Sequence, residues 1–246
     1  MSIKVITFDL DNTLWDVEPA LVKAEQAQFL WLQEHYPRLT QRFSKAGIRE
    51  HRMKFWKANP ELAHQISELR IQSTRELLRK SGYSETQAGA AAEQAFATFL
   101  SVRHQVEPFQ EVVEVLEQLA GKYTLGALTN GNADVFKLEI GVCFDFAYTA
   151  EQVNASKPLP NMFHAALERT GVRQQELLHV GDNPEHDVGG AHAAGVYSVW
   201  LNPGGRAWPG GEPAHAEICN LRQLAGAIAK IDELAGRRAD SQEPAP

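Results

Sequence analysis

The pattern of apolar and polar positions divides the chain into three textures. The first is short: Met1, Ile3, Val5, Ile6 and Phe8 make five of the first eight residues apolar, and the run stops at Asp9 and Asp11. A brief apolar run of this kind predicts a buried strand, which leaves the two acids at its carboxyl end. After Trp15 the period lengthens. Val22, Phe29, Leu32 and Tyr36 share one helical face, Leu62, Ile66, Leu69, Ser73 and Leu77 another, and Ala88, Ala91, Ala92, Ala95, Phe96 and Phe99 carry the helical pattern to about residue 104, punctuated by Pro37, Pro60 and Gly82. Beyond Pro108 helix and strand alternate. Helices are predicted over Val112–Ala120, near Asp134–Leu138, over Asn161–Arg169 and up to Ala194, with strands over Tyr123–Leu128, Phe144–Tyr148, Leu177–Val180 and Tyr197–Leu201.

This alternation is the signature of an α/β fold: a Rossmann-like parallel sheet with helices on both faces. Because the first strand belongs to the same sheet, the helical block is read as an inserted all-helical cap domain, residues 16–104. The core domain is then discontinuous, 1–15 and 105–236. Asn202–Pro213, rich in Gly and Pro, reads as a long surface loop. A last helix is marked by Asn220 as its cap and by Leu221, Leu224, Ile228, Ile231 and Leu234 on one face. Residues 237–246 lack periodicity and read as a flexible tail.

Composition narrows the function classes. At 246 residues and 43% apolar content the chain can bury a substantial core, and it contains no apolar run of the ~18 residues a membrane helix needs. No secretion signal precedes the first strand, so the expected location is cytoplasmic, with no membrane partner. A net charge of −7 argues against a nucleic-acid surface but leaves an anionic small substrate open, since a bound cation and a few lysines can reverse the field inside a crevice. Cys143 and Cys219 are far apart and read as buried free thiols.

Three predicted strands end in groups that suit phosphate chemistry. Asp9 and Asp11 follow the first, Thr129 and Asn130 lie in Leu-Thr-Asn-Gly-Asn, and Asp182 lies in His-Val-Gly-Asp-Asn; Lys157 falls between the last two and Asp187 follows Asp182 by five residues. In an open parallel sheet, strand carboxyl ends line the ligand crevice, so these residues are expected to gather. Their order and spacing resemble the four motifs of the haloacid dehalogenase superfamily, over essentially residues 3–201, and look most like its helical-cap phosphatases that act on flavin mononucleotide and ribityl-pyrimidine phosphates. The resemblance implies a Mg²⁺-dependent phosphatase acting on a small phosphorylated metabolite, flavin mononucleotide or a sugar or ribityl phosphate among them, under a closing cap. Asp9 would be the nucleophile that forms an aspartyl-phosphate and Asp11 the acid and base. Thr129, Asn130 and Lys157 would hold the phosphate. Asp9, the main-chain carbonyl of Asp11 and Asp182 would hold the metal, with Asp187 orienting metal waters or Lys157.

Three other readings fit the same architecture: a phosphomutase, a haloacid dehalogenase, which needs no metal and no second acid at the position of Asp11, and a non-catalytic phospholigand-binding protein. His179, His186 and His192 lack a shared metal-ligand spacing and read as structural. The run Arg49, His51, Arg52, Lys54, Trp56, Lys57 reads as a solvated helical face, and Trp15, Trp31 and Trp56 as packing residues. The oligomeric expectation is a monomer or homodimer.

Overall fold

The computed structural model describes the backbone of residues 2–240 and side chains through Leu234. The chain divides into two compact units, residues 1–15 with 108–246 and residues 16–107.

The first unit is built on a six-stranded, wholly parallel sheet: β1 (Val5–Phe8), β2 (Thr124–Thr129), β3 (Phe146–Thr149), β4 (Leu177–Gly181), β5 (Tyr197–Leu201) and β6 (Ala216–Ile218). Their order is β3-β2-β1-β4-β5-β6. All four residues of β1 are buried, as the apolar run requires of a strand covered on both faces. Phe8 pairs with Ala127 on one side and Val180 on the other, so β2 runs two residues and β4 one residue past the end of β1 and both flank Asp9. That register decides which side chains meet in the crevice. On one face Met162, Phe163 and Ala166 of the helix Asn161–Thr170 (here α8) pack with Val5, Leu128, Phe146 and Leu177. Truncation of Phe163 to Ala costs about 3–5 kcal/mol on the usual scale for a large core side chain. Gly126 sits under the Phe146 ring, which a Cβ would strike. The helices α6 (Val112–Ala120), α7 (Ala150–Val153), α9 (Gly190–Ala193) and α10 (Leu224–Asp240) complete this unit. Val112, Val115, Leu116 and Leu119 form the buried stripe of α6 at the spacing of a helical face.

The second unit is all-helical: α1 (Glu18–His35), α2 (Pro37–Arg42), α3 (Lys45–Ala58), α4 (Ile66–Lys80) and α5 (Glu85–Arg103). Both α1 and α4 pack on α5. The contact faces are small-residue stripes: Ala20, Ala24, Gln28 and Leu32 on α1, and Ala88, Ala91, Ala92, Ala95 and Phe99 on α5. Short side chains let the helices approach closely, which explains why Val22, expected on the packed face, is instead exposed. A reciprocal pairing of Ser84 and Gln87 caps the start of α5. The basic helix α3 buries no residue; Arg52 pairs with Glu25 and Lys54 with Glu50 at 2.6 Å, while His51 Nε2 lies 3.4 Å from Glu76.

The sequence pattern misses β6, a three-residue edge strand too short to show alternation. It also ends the last helix early. That helix runs to Asp240, through residues 237–240 of the expected tail, while residues 241–246 lie outside the described part. Both cysteines are free, but neither is fully buried, contrary to expectation: Cys143 is half-buried and Cys219 lies exposed on the turn after β6. Among the described residues no helix is long and apolar enough to cross a membrane.

Candidate active site

The amide of Asp9 donates to the Val180 carbonyl at 2.9 Å, carrying the sheet one residue past β1 and fixing Asp9 at the carboxyl end of the sheet. The chain then curls on itself. Leu14 N–H donates to the Leu10 carbonyl at 2.9 Å and Asn12 N–H to the Trp15 carbonyl at 2.7 Å, and Asn12 takes a left-handed φ of 65°, which Asn tolerates better than most residues. Leu10, Leu14 and Trp15 are buried beneath this loop and hold it down. The Trp15 indole N–H donates to Asp11 Oδ1 at 2.8 Å, and the Thr13 hydroxyl reaches Asp9 Oδ2 at 3.4 Å.

Lys157 arrives from the loop before α8. Its backbone is clamped by Asn130, whose side-chain amide donates to the Lys157 carbonyl at 2.9 Å and accepts from the Lys157 amide at 2.7 Å. The ammonium is buried, and it donates to Asp9 Oδ1 at 2.8 Å, Asp187 Oδ1 at 2.6 Å and the Leu128 carbonyl at 2.6 Å. Three donors meet three acceptors, so the cation has no rotational freedom.

After β4 the chain presents Asp182 and then Asp187. The Asp182 carbonyl accepts from the Trp200 indole and from Arg206, each at 2.9 Å, which fixes its backbone. Asp187 packs so closely on Gly181 that any Cβ there would run into its carboxyl group. Asp187 Oδ2 accepts from the Asn183 amide at 2.9 Å, and Oδ1 lies 3.2 Å from His179 Nε2 as well as against Lys157. The Asp187 carboxylate can only accept, so His179 carries its proton on Nε2, and its Nδ1 lies 2.9 Å from the Thr7 hydroxyl.

These groups titrate abnormally. Burial drives the Asp9 carboxyl well above the usual carboxylate range; the Lys157 ammonium opposes this and the Asp187 charge adds to it. Burial and the Asp187 charge push Asp182 up to about 6. Burial acts the same way on Asp187, but Lys157 and His179 outweigh it and hold that carboxyl low. Lys157 stays charged, because Asp187 and Asp9 outweigh the penalty of its burial. Burial lowers His179, which is therefore neutral.

Three acids, Asp9, Asp182 and Asp187, bring a carboxylate oxygen each to within 4.8 Å of one another, against one lysine. The surplus is negative, the donors are hard oxygens, and burial, with the Asp187 charge beside it, pushes two of the carboxyls up; a divalent cation such as Mg²⁺ fits this set.

Every residue expected at the site, Asp9, Asp11, Thr129, Asn130, Lys157, Asp182 and Asp187, lines one cleft of about 190 Å³, joined by Asn12, Gly131, Asn183 and His186. Thr129 has its hydroxyl turned to accept from the Gly131 amide at 2.9 Å, and the Asn130 side chain is engaged with the Lys157 backbone. Trp15, expected only to pack, and His179, expected to be structural, both reach site carboxylates, and Thr7, which the sequence did not single out, sits behind His179. For Trp15 the available signal was its position four residues after Asp11, and for Thr7 a hydroxyl inside an apolar strand.

The model of the haloacid dehalogenase-like hydrolase family matches residues 3–195. The 5-amino-6-(5-phospho-D-ribitylamino)uracil phosphatase YigB of Escherichia coli K12 is 33% identical, over 92% of this chain and 96% of its own length. The N-acylneuraminate-9-phosphatase of Homo sapiens is 27% identical, over 94% and 95%. Among solved structures, one described as the 2-haloacid dehalogenase of Pseudomonas syringae pv. Tomato DC3000 superposes with a TM-score of 0.87 at 42% identity, over 93% of this chain and 99% of that one. The strand order, the acid-ended strands and these matches agree, and the chain belongs to the haloacid dehalogenase-like hydrolases.

Proposed function

We propose that the chain is a Mg²⁺-dependent phosphatase of small phosphorylated metabolites that works through an aspartyl-phosphate on Asp9. The observation that carries this reading is the Asp9 carboxylate itself, held 2.8 Å from the buried Lys157 ammonium on the wall of a polar cleft that also holds Asp11 and Asp182. Asp9 attacks phosphorus; its oxygen–phosphorus bond forms as the ester bond breaks. Asp11 gives a proton to the departing alkoxide, then takes one from the water that attacks the aspartyl-phosphate, releasing inorganic phosphate and restoring Asp9.

Lys157 makes three protein contacts, so a phosphoryl oxygen reaches it by taking the place of Asp9 Oδ1, which frees that carboxylate as the nucleophile. Thr129 and the main-chain amide of Asn130 take further phosphoryl oxygens. The Asn130 side chain instead keeps Lys157 in place. Asp187, with both oxygens engaged by protein donors, orients Lys157. Mg²⁺ would be held by Asp9, Asp182 and the main-chain carbonyl of Asp11, and when bound it supplies the positive charge that lets a carboxylate approach a phosphate dianion.

The test is phosphate release from a panel of phosphorylated metabolites with and without Mg²⁺, ribityl phosphates first because of the activity named for YigB. Chelator is expected to stop turnover until Mg²⁺ returns, and Asp9→Asn to lower it by at least about 10³-fold with the melting temperature retained. Turnover of Asp9→Asn near the wild-type rate would overturn the reading. Appearance of the phosphoryl group on a second hydroxyl would turn it into a phosphomutase, and binding without release into a ligand-binding module.

A second reading, carbon–halogen hydrolysis, is favoured by the name of the Pseudomonas syringae structure. Displacement of halide needs neither a leaving-group acid nor a cation, so it gives Asp11 and the three-carboxylate cluster no task. Metal-independent halide release from a 2-haloacid would support it.

A further inference from the structure

We propose that Trp15 is a positioning residue for proton transfer by Asp11: its indole N–H holds Oδ1, so that the transferable proton is carried on Oδ2. The inference rests on the reading of Asp11 as the leaving-group acid. An aspartate carboxyl turns easily about its last torsion, and one on a loop beyond the strand end needs something to stop it. Trp15 does so from a fixed mount. Its side chain is fully buried, its carbonyl accepts from Asn12 N–H at 2.7 Å, and its backbone forms a bridge with Pro108. The loop therefore closes on itself through Trp15, and the 2.8 Å bond to Asp11 is the outlet for a buried indole N–H that must find an acceptor.

The choice of side chain matters chemically. Indole nitrogen donates and cannot accept. A carboxyl oxygen bonded to it offers a lone pair, so the acid's proton resides on the opposite oxygen. A tyrosine hydroxyl could reverse its role and leave the proton on either side. In the reaction, the proton leaves Asp11 Oδ2 for the ester oxygen as the phosphorus–oxygen bond to the alcohol breaks, and the charge left on the carboxylate is met by the N–H already in place.

The experiment compares two esters. An alkyl phosphate needs its leaving oxygen protonated; p-nitrophenyl phosphate leaves as a stable anion and does not. Trp15→Phe is expected to lower kcat/KM, which reports only the steps through formation of the aspartyl-phosphate, by about 10–100-fold on the alkyl ester and by no more than about 3-fold on the aryl ester. Asp11→Asn should show the same selectivity with a larger loss, and Trp15→Phe added to Asp11→Asn should cost nothing further. Replacement of Trp15 by β-(3-benzothienyl)alanine keeps the bicyclic shape and removes only the N–H, so it reproduces the selective loss even if Trp15→Phe fails to fold. Equal losses on both esters, or additive losses in the double variant, would overturn the role of Trp15. Phosphatase activity in which Asp11→Asn is blind to the leaving group would instead remove Asp11 as the acid, and the inference with it.

Discussion

Each unit buries a cluster of charge, and the two are unbalanced in opposite senses. In the sheet unit one ammonium, Lys157, faces Asp9 and Asp187, with Asp182 close by, and every donor has an acceptor. In the helical unit Arg52 and Arg70 share the carboxylate of Glu25, and Arg70 stacks 3.6 Å over the Phe99 ring. Gln28 accepts from Arg70 at 3.4 Å while its buried side-chain Nε2 has no hydrogen-bond partner among the described residues. Burial, together with the neighbouring Arg52, pushes Arg70 down to about 9. The difference teaches how buried polar groups divide by use. A negative surplus of hard oxygens at the end of a sheet is completed by a cation and does chemistry; a positive surplus between helices is tolerated through a shared carboxylate and an aromatic face.

The strongest way to break this comparison is Lys157→Met. It removes the charge between two buried carboxylates, and turnover is expected to fall by at least about 10³-fold, the scale for losing one preorganised stabiliser. Without Mg²⁺ the folded state should lose about 3–5 kcal/mol in denaturant, because Asp9 and Asp187 are left without their cation. Added Mg²⁺ should restore part of that stability, which a thermal shift would read. The mirror-image change, Glu25→Gln, takes the shared carboxylate from Arg52 and Arg70. About 2–3 kcal/mol of loss is expected, less than for Lys157 because these side chains keep some access to water. An unchanged denaturation midpoint would show that the aromatic stack alone carries the guanidinium.

The smallest effect lies at the amino-terminal ends of β1 and β4, away from the cleft. Glu176 accepts from Arg173 and pairs with Lys4 at 2.9 Å, and Arg173, then Lys4, hold its carboxyl well below its ordinary 4.5. A depressed folded-state value means that this stabilisation is complete above pH 4.5 and is lost as the pH falls further towards the depressed value. Melting temperatures from pH 7 down to pH 3 should therefore fall less steeply for Glu176→Gln than for the wild type.

The residues that could be read from the chain are those whose chemistry forbids an ordinary role. Asp9 and Asp11 interrupt an apolar strand, and Asp182 repeats the device at the end of β4, so charge at a strand terminus betrays the crevice before any coordinates do. Contacts fixed by shape are silent by comparison. The Trp15 indole could have been pure packing; only the curl of the loop after Asp9 turns it towards Asp11. The α1 stripe of Ala20 and Ala24 is interrupted by the polar Gln28, so the larger Val22 and Phe29 drew the helix face to their side instead. The pairing of Asn130 with the Lys157 backbone uses the Asn130 side chain across 27 positions, a contact that no local pattern marks.

The position of β1 in the middle of the sheet has a consequence for how the molecule is made. Its hydrogen-bonding neighbours are Thr124–Ala127 and Leu177–Val180, so the ribosome delivers the nucleophile's strand long before anything exists for it to pair with. The helical unit, a set of local contacts, can settle in the interval, while the opening residues wait, apolar and unpaired, for the last third of the chain. The strand that carries the nucleophile emerges before both of its partners and is thus among the latest to be locked, and chaperone dependence during synthesis should centre on residues 3–8.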